Sequence, residues 1–432
     1  MTGGPTLKRL VLSLWAISLI CGQVAPGEQT ESRTDLAGDW PQWRGVNRDG
    51  LSAETGLLQA WPEQGPPLRW RVDGLGSGYS SVAIERGRVF TMGQRPDGAF
   101  LIALNTTDGS ELWATSIGQG VPNSTPTVDG DFVYALGLEG DLVCVDAETG
   151  EVSWHRNIQS EFDGSVMSDL GYSESVLVDG DRLICTPGAP DAALVALDKK
   201  TGETLWQAAL PDSVGPNGID GAGYSSAVIS EACGIRQYVQ LMGRGAIAVD
   251  AESGRTLWTY NRIANAYANI ATPIVKEDYV FCSAAYGAGS VLLKVSPDGD
   301  GLEAEEVYYL DHKELQNHHG GLVLVGDYLY AGHGHNNGFP LCLGLKTGEI
   351  AWRPGRGPGT GSAAVLYADG HVYFRYENGT MALIEATPEA YRVKGQFRAA
   401  TDNGKGWSHP VIAGGCLYLR DQGTLLCYGL RR

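Results

Sequence analysis

The chain is 432 residues long and 43% hydrophobic, with 60 glycines and a formal charge of −18 at pH 7. That length suits two or three ordinary domains or one large repeat domain, and so many glycines point to turns rather than long helices. So acidic a surface argues against nucleic acid and anionic membranes as partners, because phosphate binding needs clustered Lys and Arg.

Residues 1–27 read as a signal peptide: the basic pair Lys8 and Arg9 precedes an apolar run from Leu10 to Ile20. The run is too short to cross a bilayer comfortably, so it fits a leader better than an anchor. The expected location of the mature chain is the periplasm or the cell exterior, with no transmembrane span. A lipid anchor on Cys21 is the lesser reading, since bulky Ile20 stands where a small residue is expected. Residues 28–67 form a Trp- and Pro-rich arm. Its Trp40, Trp43 and Trp61 are expected to pack against the rest of the chain rather than bind a sugar or peptide.

From residue 68 onward one phrase recurs: LIALNTTDGSELWA at Leu101, LVCVDAETGEVSWH at Leu142, LVALDKKTGETLWQ at Leu194, AIAVDAESGRTLWT at Ala246 and LCLGLKTGEIAWR at Leu341. In each copy the turn glycine precedes the Trp by four residues: Gly109/Trp113, Gly150/Trp154, Gly202/Trp206, Gly254/Trp258 and Gly348/Trp352. Each repeat carries four short strand signals divided by Gly, Asp and Asn. One such sheet cannot bury both faces, but a ring of them can. The predicted fold is therefore all-β, a β-propeller of four-stranded antiparallel blades spanning 68–432. Outer-strand aromatics Trp113, Trp154, Trp206, Trp258, Tyr308, Trp352 and Phe397 mark seven local blades. His409–Leu430 supplies three more strands, and PPLRWRV (Pro66–Val72, marker Trp70) is expected to close an eighth from the other chain end. Asp146, Asp198, Asp250 and Asn105 are expected to bond turn amides, and the aromatic to pack between neighbouring blades.

Beyond Cys21 seven cysteines are scattered through apolar strands, with no CxxC and no CxxCH. They read as small buried residues, although Cys416 and Cys427 are placed to meet across a hairpin.

In such blades the TG turns share one rim, and the links between blades lie on the opposite face with the strand-two-to-three loops. The longest links are there, so a ligand-binding cup is expected at that channel mouth. Its candidate residues begin the innermost strands: Tyr79, Tyr172, Tyr224, Asn269, His318, His319, Trp407 and His409. Five of the eight histidines fall between His312 and His335. Of these, His318, His319, His333 and His335 are the candidate ligands for a transition metal. No GxSxG, Walker loop or dinucleotide fingerprint stands in context, and no catalytic residue is assigned.

The repeated phrase, close to A-x-D-x-x-T-G-x-x-x-W, resembles the tryptophan-docking repeat of PQQ-type β-propellers. That superfamily holds the quinoprotein alcohol dehydrogenases and the outer-membrane assembly factor BamB, both eight-bladed, and the resemblance spans residues 68–430. DWPQWRGVNRDG (Asp39–Gly50) followed by GYSS (Gly78–Ser81) is similar to secreted PQQ-like repeat proteins of planctomycete-type bacteria. The resemblance implies eight blades. For the dehydrogenases it also implies PQQ stacked between a Trp and a disulfide of adjacent cysteines, with calcium held by carboxylates and an amide. No adjacent cysteines occur here, and the chain is shorter than those enzymes. Three readings stay open, because fold alone does not transfer function. The first is a monomeric, BamB-like binding module of the periplasm or cell surface, for an envelope protein or a small-molecule or carbohydrate ligand. The second is a PQQ- and calcium-dependent dehydrogenase of alcohols or sugars, and the third a metal enzyme built on the sixth-blade histidines.

Overall fold

Eight sheets of the computed structural model follow one another around a ring. It describes residues 1–4, 38–299, 301–401 and 404–431. The expected leader and Cys21 therefore lie, beyond residue 4, outside the described residues. Residues Ala37–Arg432 form one unit, distinct from Met1–Leu36. Blades one to seven run 83–116, 127–157, 177–208, 228–260, 274–310, 322–352 and 363–398. In blade eight, strands Val411–Ala413, Cys416–Asp421 and Thr424–Gly429 are joined by Leu68–Val72 from the other end of the chain. That strand runs antiparallel to Thr424–Gly429, with Trp70 opposite Cys427. The closure leaves no open edge in the ring. Among the described residues no helix is long and apolar enough to cross a membrane.

The repeated phrase explains the local structure. Middle strands such as Gln237–Met242 are buried throughout, while outer strands such as Val152–Asn157 are exposed or half-buried along their length. Asp146 Oδ1 accepts from the backbone N–H groups of Glu148 and Thr149 at 3.0 and 2.8 Å, and Asp198 and Asp250 repeat the arrangement. These bonds hold the Asp146 carboxyl below its ordinary range. In seven of the eight blades a β-bulge interrupts the outer strand directly before the marker aromatic; in blade seven it falls between Val393 and Gly395, two residues before Phe397. A bulge increases local twist and re-aims a side chain, here toward the next blade. The indole N–H of Trp70, Trp113, Trp154 and Trp206 then donates to a turn carbonyl there: Thr106 at 2.9, Ala147 at 3.3, Lys199 at 3.0 and Ala251 at 3.3 Å. The turn glycine lies flat on the same ring. At Gly150 (φ +75°) a Cβ would sit 2.6 Å from Trp113 Cδ2, so both the backbone and the ring demand glycine.

Three positions vary the scheme. Blade five extends its last two strands (Gly289–Asp298 and Gly301–Leu310) and has no TG turn, so Trp258 donates to Gln237 Oε1 within its own blade at 2.8 Å. Tyr308 replaces the indole with a hydroxyl donated to the Leu345 carbonyl at 2.5 Å. Phe397 has no donor and is covered by Gly65 of the arm, whose Cβ would fall 2.4 Å from the ring.

The arm does more than pack on the ring: it enters the channel. Trp40 exchanges backbone hydrogen bonds with Ile84 of the innermost strand of blade one, and Val128 of blade two donates to the Pro41 carbonyl. Arg44 donates to the Gly320 carbonyl at 3.1 Å and to Leu322 in blade six, and Arg48 donates to the carbonyls of Ser175 and Val176 at the entry to blade three. Leu51–Ser52 adds a two-residue parallel strand to blade seven. Buried guanidiniums need such carbonyl partners; they cross-link distant blades through the channel. Among the described residues the seven cysteines are free thiols, buried except for half-buried Cys233, and these include Cys416 and Cys427 of blade eight.

Candidate functional site

Above this plug, on the face opposite the TG turns, opens a cup of about 480 Å³. Its floor includes Trp43, whose indole N–H donates to Thr272 Oγ1 at 3.0 Å, with the His409 ring 4.5 Å away. Its wall comes from links between blades and from strand-two-to-three loops. Tyr79, Asn123, Leu170, Tyr224, Tyr267 and Trp407 lie on the links, and Tyr286, His335 and Glu377 on the loops. The rim leaves large apolar side chains in water: Tyr267 is 50%, Leu170 41% and Tyr286 37% exposed.

Of the eight residues expected to form the cup, six line it: Tyr79, Tyr224, His318, His319, Trp407 and His409. Tyr79 packs against Trp407 with centroids 4.9 Å apart and planes tilted by 37°. The Tyr224 hydroxyl is 2.5 Å from Ser168 Oγ. Tyr172 and Asn269 depart from the expectation. Gly171 takes φ +68°, a left-handed backbone that Gly78 and Gly223 do not share, and Tyr172 turns into the protein, where its hydroxyl donates to the Pro187 carbonyl at 3.0 Å. Asn269 lies behind the wall as a loop staple. Its amide donates to the carbonyls of Met242 (2.9 Å) and Gly243 (3.2 Å), and its Oδ1 accepts from Asn265.

The four histidines expected as metal ligands do not converge on a common point. His333 stays outside the cup, its Nδ1 accepting the backbone N–H of Gln316 at 3.3 Å. His318 uses both nitrogens, one with the Tyr286 hydroxyl at 3.0 Å and one with Ser362 Oγ at 2.5 Å. Its ring packs 4.5 Å from that of His335 and 5.2 Å from that of His319. His312, the fifth of the group, is exposed on the link before them. Among the described residues no group of three or more His, Cys, Asp or Glu is arranged to hold a metal ion. Burial, with neighbouring positive charge, lowers the imidazoles to about 3 at His318 and His409 and about 4 at His319. These three rings are therefore neutral at physiological pH and act as hydrogen-bonding aromatic surface.

Nor does the lining fit calcium with an anionic quinone. Its charged side chains are Glu377 and Lys405, which pair at 3.6 Å. Calcium requires six to eight oxygens, several of them carboxylate, and an anionic ring system needs unpaired cations.

Residue-type reasoning missed Trp43, Tyr267, Tyr286, Glu377 and Lys405. The signal for Tyr267 and Tyr286 was available, since NAYAN and AAYGAG put an aromatic in the loop classes that ring the channel mouth. Trp43 had no such signal, because the path of the arm through the channel is a long-range property.

A family model described as outer membrane protein assembly factor BamB matches residues 55–141 and 97–354. Among curated relatives, the outer membrane protein assembly factor BamB of Burkholderia pseudomallei (strain K96243) is 30% identical over 194 residues, 44% of this chain and 46% of that protein. The chain thus matches less than half the length of that relative. Among solved structures, BamB from Moraxella catarrhalis superposes with a TM-score of 0.59 at 15% identity, covering 83% of this chain and 98% of that one. A europium-containing methanol dehydrogenase superposes with a TM-score of 0.63 at 12% identity, covering 88% and 89%. At such identities these two likenesses concern the fold.

Proposed function

Because the chain belongs to the family of outer membrane protein assembly factor BamB, we propose that it is a non-catalytic binding module of the bacterial envelope, exported by the leader of residues 1–27. The observation that carries this reading is the blind aromatic cup, with exposed Tyr267 and Tyr286 at the rim and the arm as its floor. Exposed aromatic rings around a concavity are the usual mark of a recognition surface. The TG rim offers no equivalent, since its aromatics are docked between blades. The Burkholderia relative's name describes assembly of outer-membrane proteins, and an envelope protein is accordingly the expected partner. A photo-crosslinking residue at Tyr267 should capture a discrete envelope protein in the native cell, whereas the same residue at Thr149 on the opposite rim should not. Equal capture from both positions, or none from either, refutes this assignment.

The dehydrogenase reading finds support only in the fold. Titration with PQQ, with and without calcium, is expected to give no saturable quenching of tryptophan fluorescence.

A further inference from the structure

We propose that the cup binds the terminal pyranose of an uncharged saccharide. The inference names the ligand class of the site just described and rests on its being a binding site. Three observations carry it.

The first is the pairing of aromatic surfaces. Tyr79 and Trp407 form one platform, and Tyr267 and Tyr286 another with centroids 4.7 Å apart. A pyranose presents a face of C–H groups to an aromatic ring while its hydroxyls point outward, so it suits a wall that is apolar in plane and polar at its edges.

The second is charge. Lys405 is tied to Glu377 at 3.6 Å and lies 4.5 Å over the Trp407 ring. A charged ligand would lose its water here and meet no unpaired opposite charge. The polar groups that remain are neutral, and some lack partners. Trp407 Nε1, His319 Nε2 and His335 Nδ1 have no hydrogen-bond partner in the protein. Buried polar atoms are nearly always paired in folded proteins, so each orphan calls for an explanation. Sugar hydroxyls donate and accept at once, and small ring rotations would let them satisfy an indole N–H and an imidazole nitrogen together.

The third is shape. The arm closes the floor, so the cup accepts a chain end rather than the middle of a polymer. About 480 Å³ lies within the range of small-ligand sites, roughly 300–1,000 Å³. Two lining residues, Tyr286 (φ +55°) and His335 (φ +55°), hold left-handed backbone that bulky side chains rarely adopt. Such strain concentrates where a side chain must be aimed.

The test is calorimetric titration of the purified protein with methyl glucopyranosides, methyl mannopyranosides, N-acetylglucosamine and their disaccharides. Glucuronate and glucosamine serve as charged counterparts. At least one neutral saccharide is expected to bind saturably, with its charged counterpart weaker by about tenfold or more. Tyr286→Ala should weaken binding about tenfold, near the upper end of an aromatic contact. Trp407→Phe, which keeps an aromatic ring and removes the indole N–H, should weaken it less. Tyr267→Ala alters an exposed ring and keeps the test meaningful if another variant fails to fold. Silence from every neutral saccharide at millimolar concentration, or binding unchanged in all three variants, overturns the proposal. An envelope protein crosslinked at Tyr267 with silent saccharides would leave the binding module standing and remove the sugar. Saccharide binding without a crosslinked protein would do the reverse for the protein partner.

Discussion

Trp113 and Trp407 are the same side chain put to opposite uses. Trp113 sits between blades one and two, its N–H given to the Ala147 carbonyl and its face covered by Gly150. Trp407 faces the cup, packed against Tyr79 at a tilt, with Lys405 above its ring and its N–H without a partner. The first belongs to a position repeated around the ring, the second to a link that occurs once. Repeated aromatics are consumed in joining blades, and free ring surface remains where the period breaks.

The largest expected effect is on the docked side. Trp352 is 8% exposed and donates to the Thr387 carbonyl at 2.8 Å. Trp352→Ala should cost about 3–5 kcal/mol, read from the shift of a guanidinium unfolding curve. A loss under about 1 kcal/mol would mean that docking does not hold the ring.

Next comes the proton linkage of the cup. His318, His319 and His409 titrate at about 3, 4 and 3 in the folded protein, against an ordinary 6.5. The unfolded chain binds protons below pH 6.5 that the folded chain refuses until about pH 3 to 4. Their contribution is therefore whole above pH 6.5 and is lost as pH falls through that window. Glu174, raised by burial to about 7 from 4.5, works in the other direction, its neutral form favouring the fold as pH falls from 7 to 4.5. His409→Gln keeps a donor for the His319 carbonyl and should flatten the acid limb of stability by on the order of 1 kcal/mol per pH unit. Urea midpoints at several pH values measure this, and an unchanged slope would show that His409 does not resist protonation.

Trp206→Phe keeps most of the docked ring and removes the bond to the Ala251 carbonyl, so its cost should be about 1 kcal/mol. Tyr267→Ala at the rim should change stability by less than about 0.5 kcal/mol while reducing ligand or partner capture. A large stability loss there would erase the distinction between docked and free rings.

Much of this was legible in residue order, for local reasons. The D-x-x-T-G turn, the Trp four residues beyond its glycine and the alternating strands are short-range patterns, and they led to eight blades and to the closing strand Leu68–Val72. Six of eight cup residues followed from the same blade counting, because equivalent loop positions share a face. Tyr172 and Tyr224 show where that logic stops. Both follow a glycine in a GYS triplet, yet φ +68° at Gly171 turns one inward and leaves the other at the cup. The histidine cluster misled in a related way: closeness in sequence brought the rings together, but partners from elsewhere, Tyr286 and Ser362, occupied the nitrogens of His318.

Turns and strands at fixed offsets specify the ring, its blade count, its closure and the face on which loops gather, so all four can be read from residue order. Long-range packing, by contrast, sets the path of the arm through the channel, the burial of Arg44 and Arg48 there, and a cup that is blind, aromatic and without net charge. Those outcomes depend on contacts between residues more than a hundred positions apart, such as Arg44 with Leu322 and Arg48 with Val176. No local pattern encodes such contacts; they exist only once the ring has closed around them.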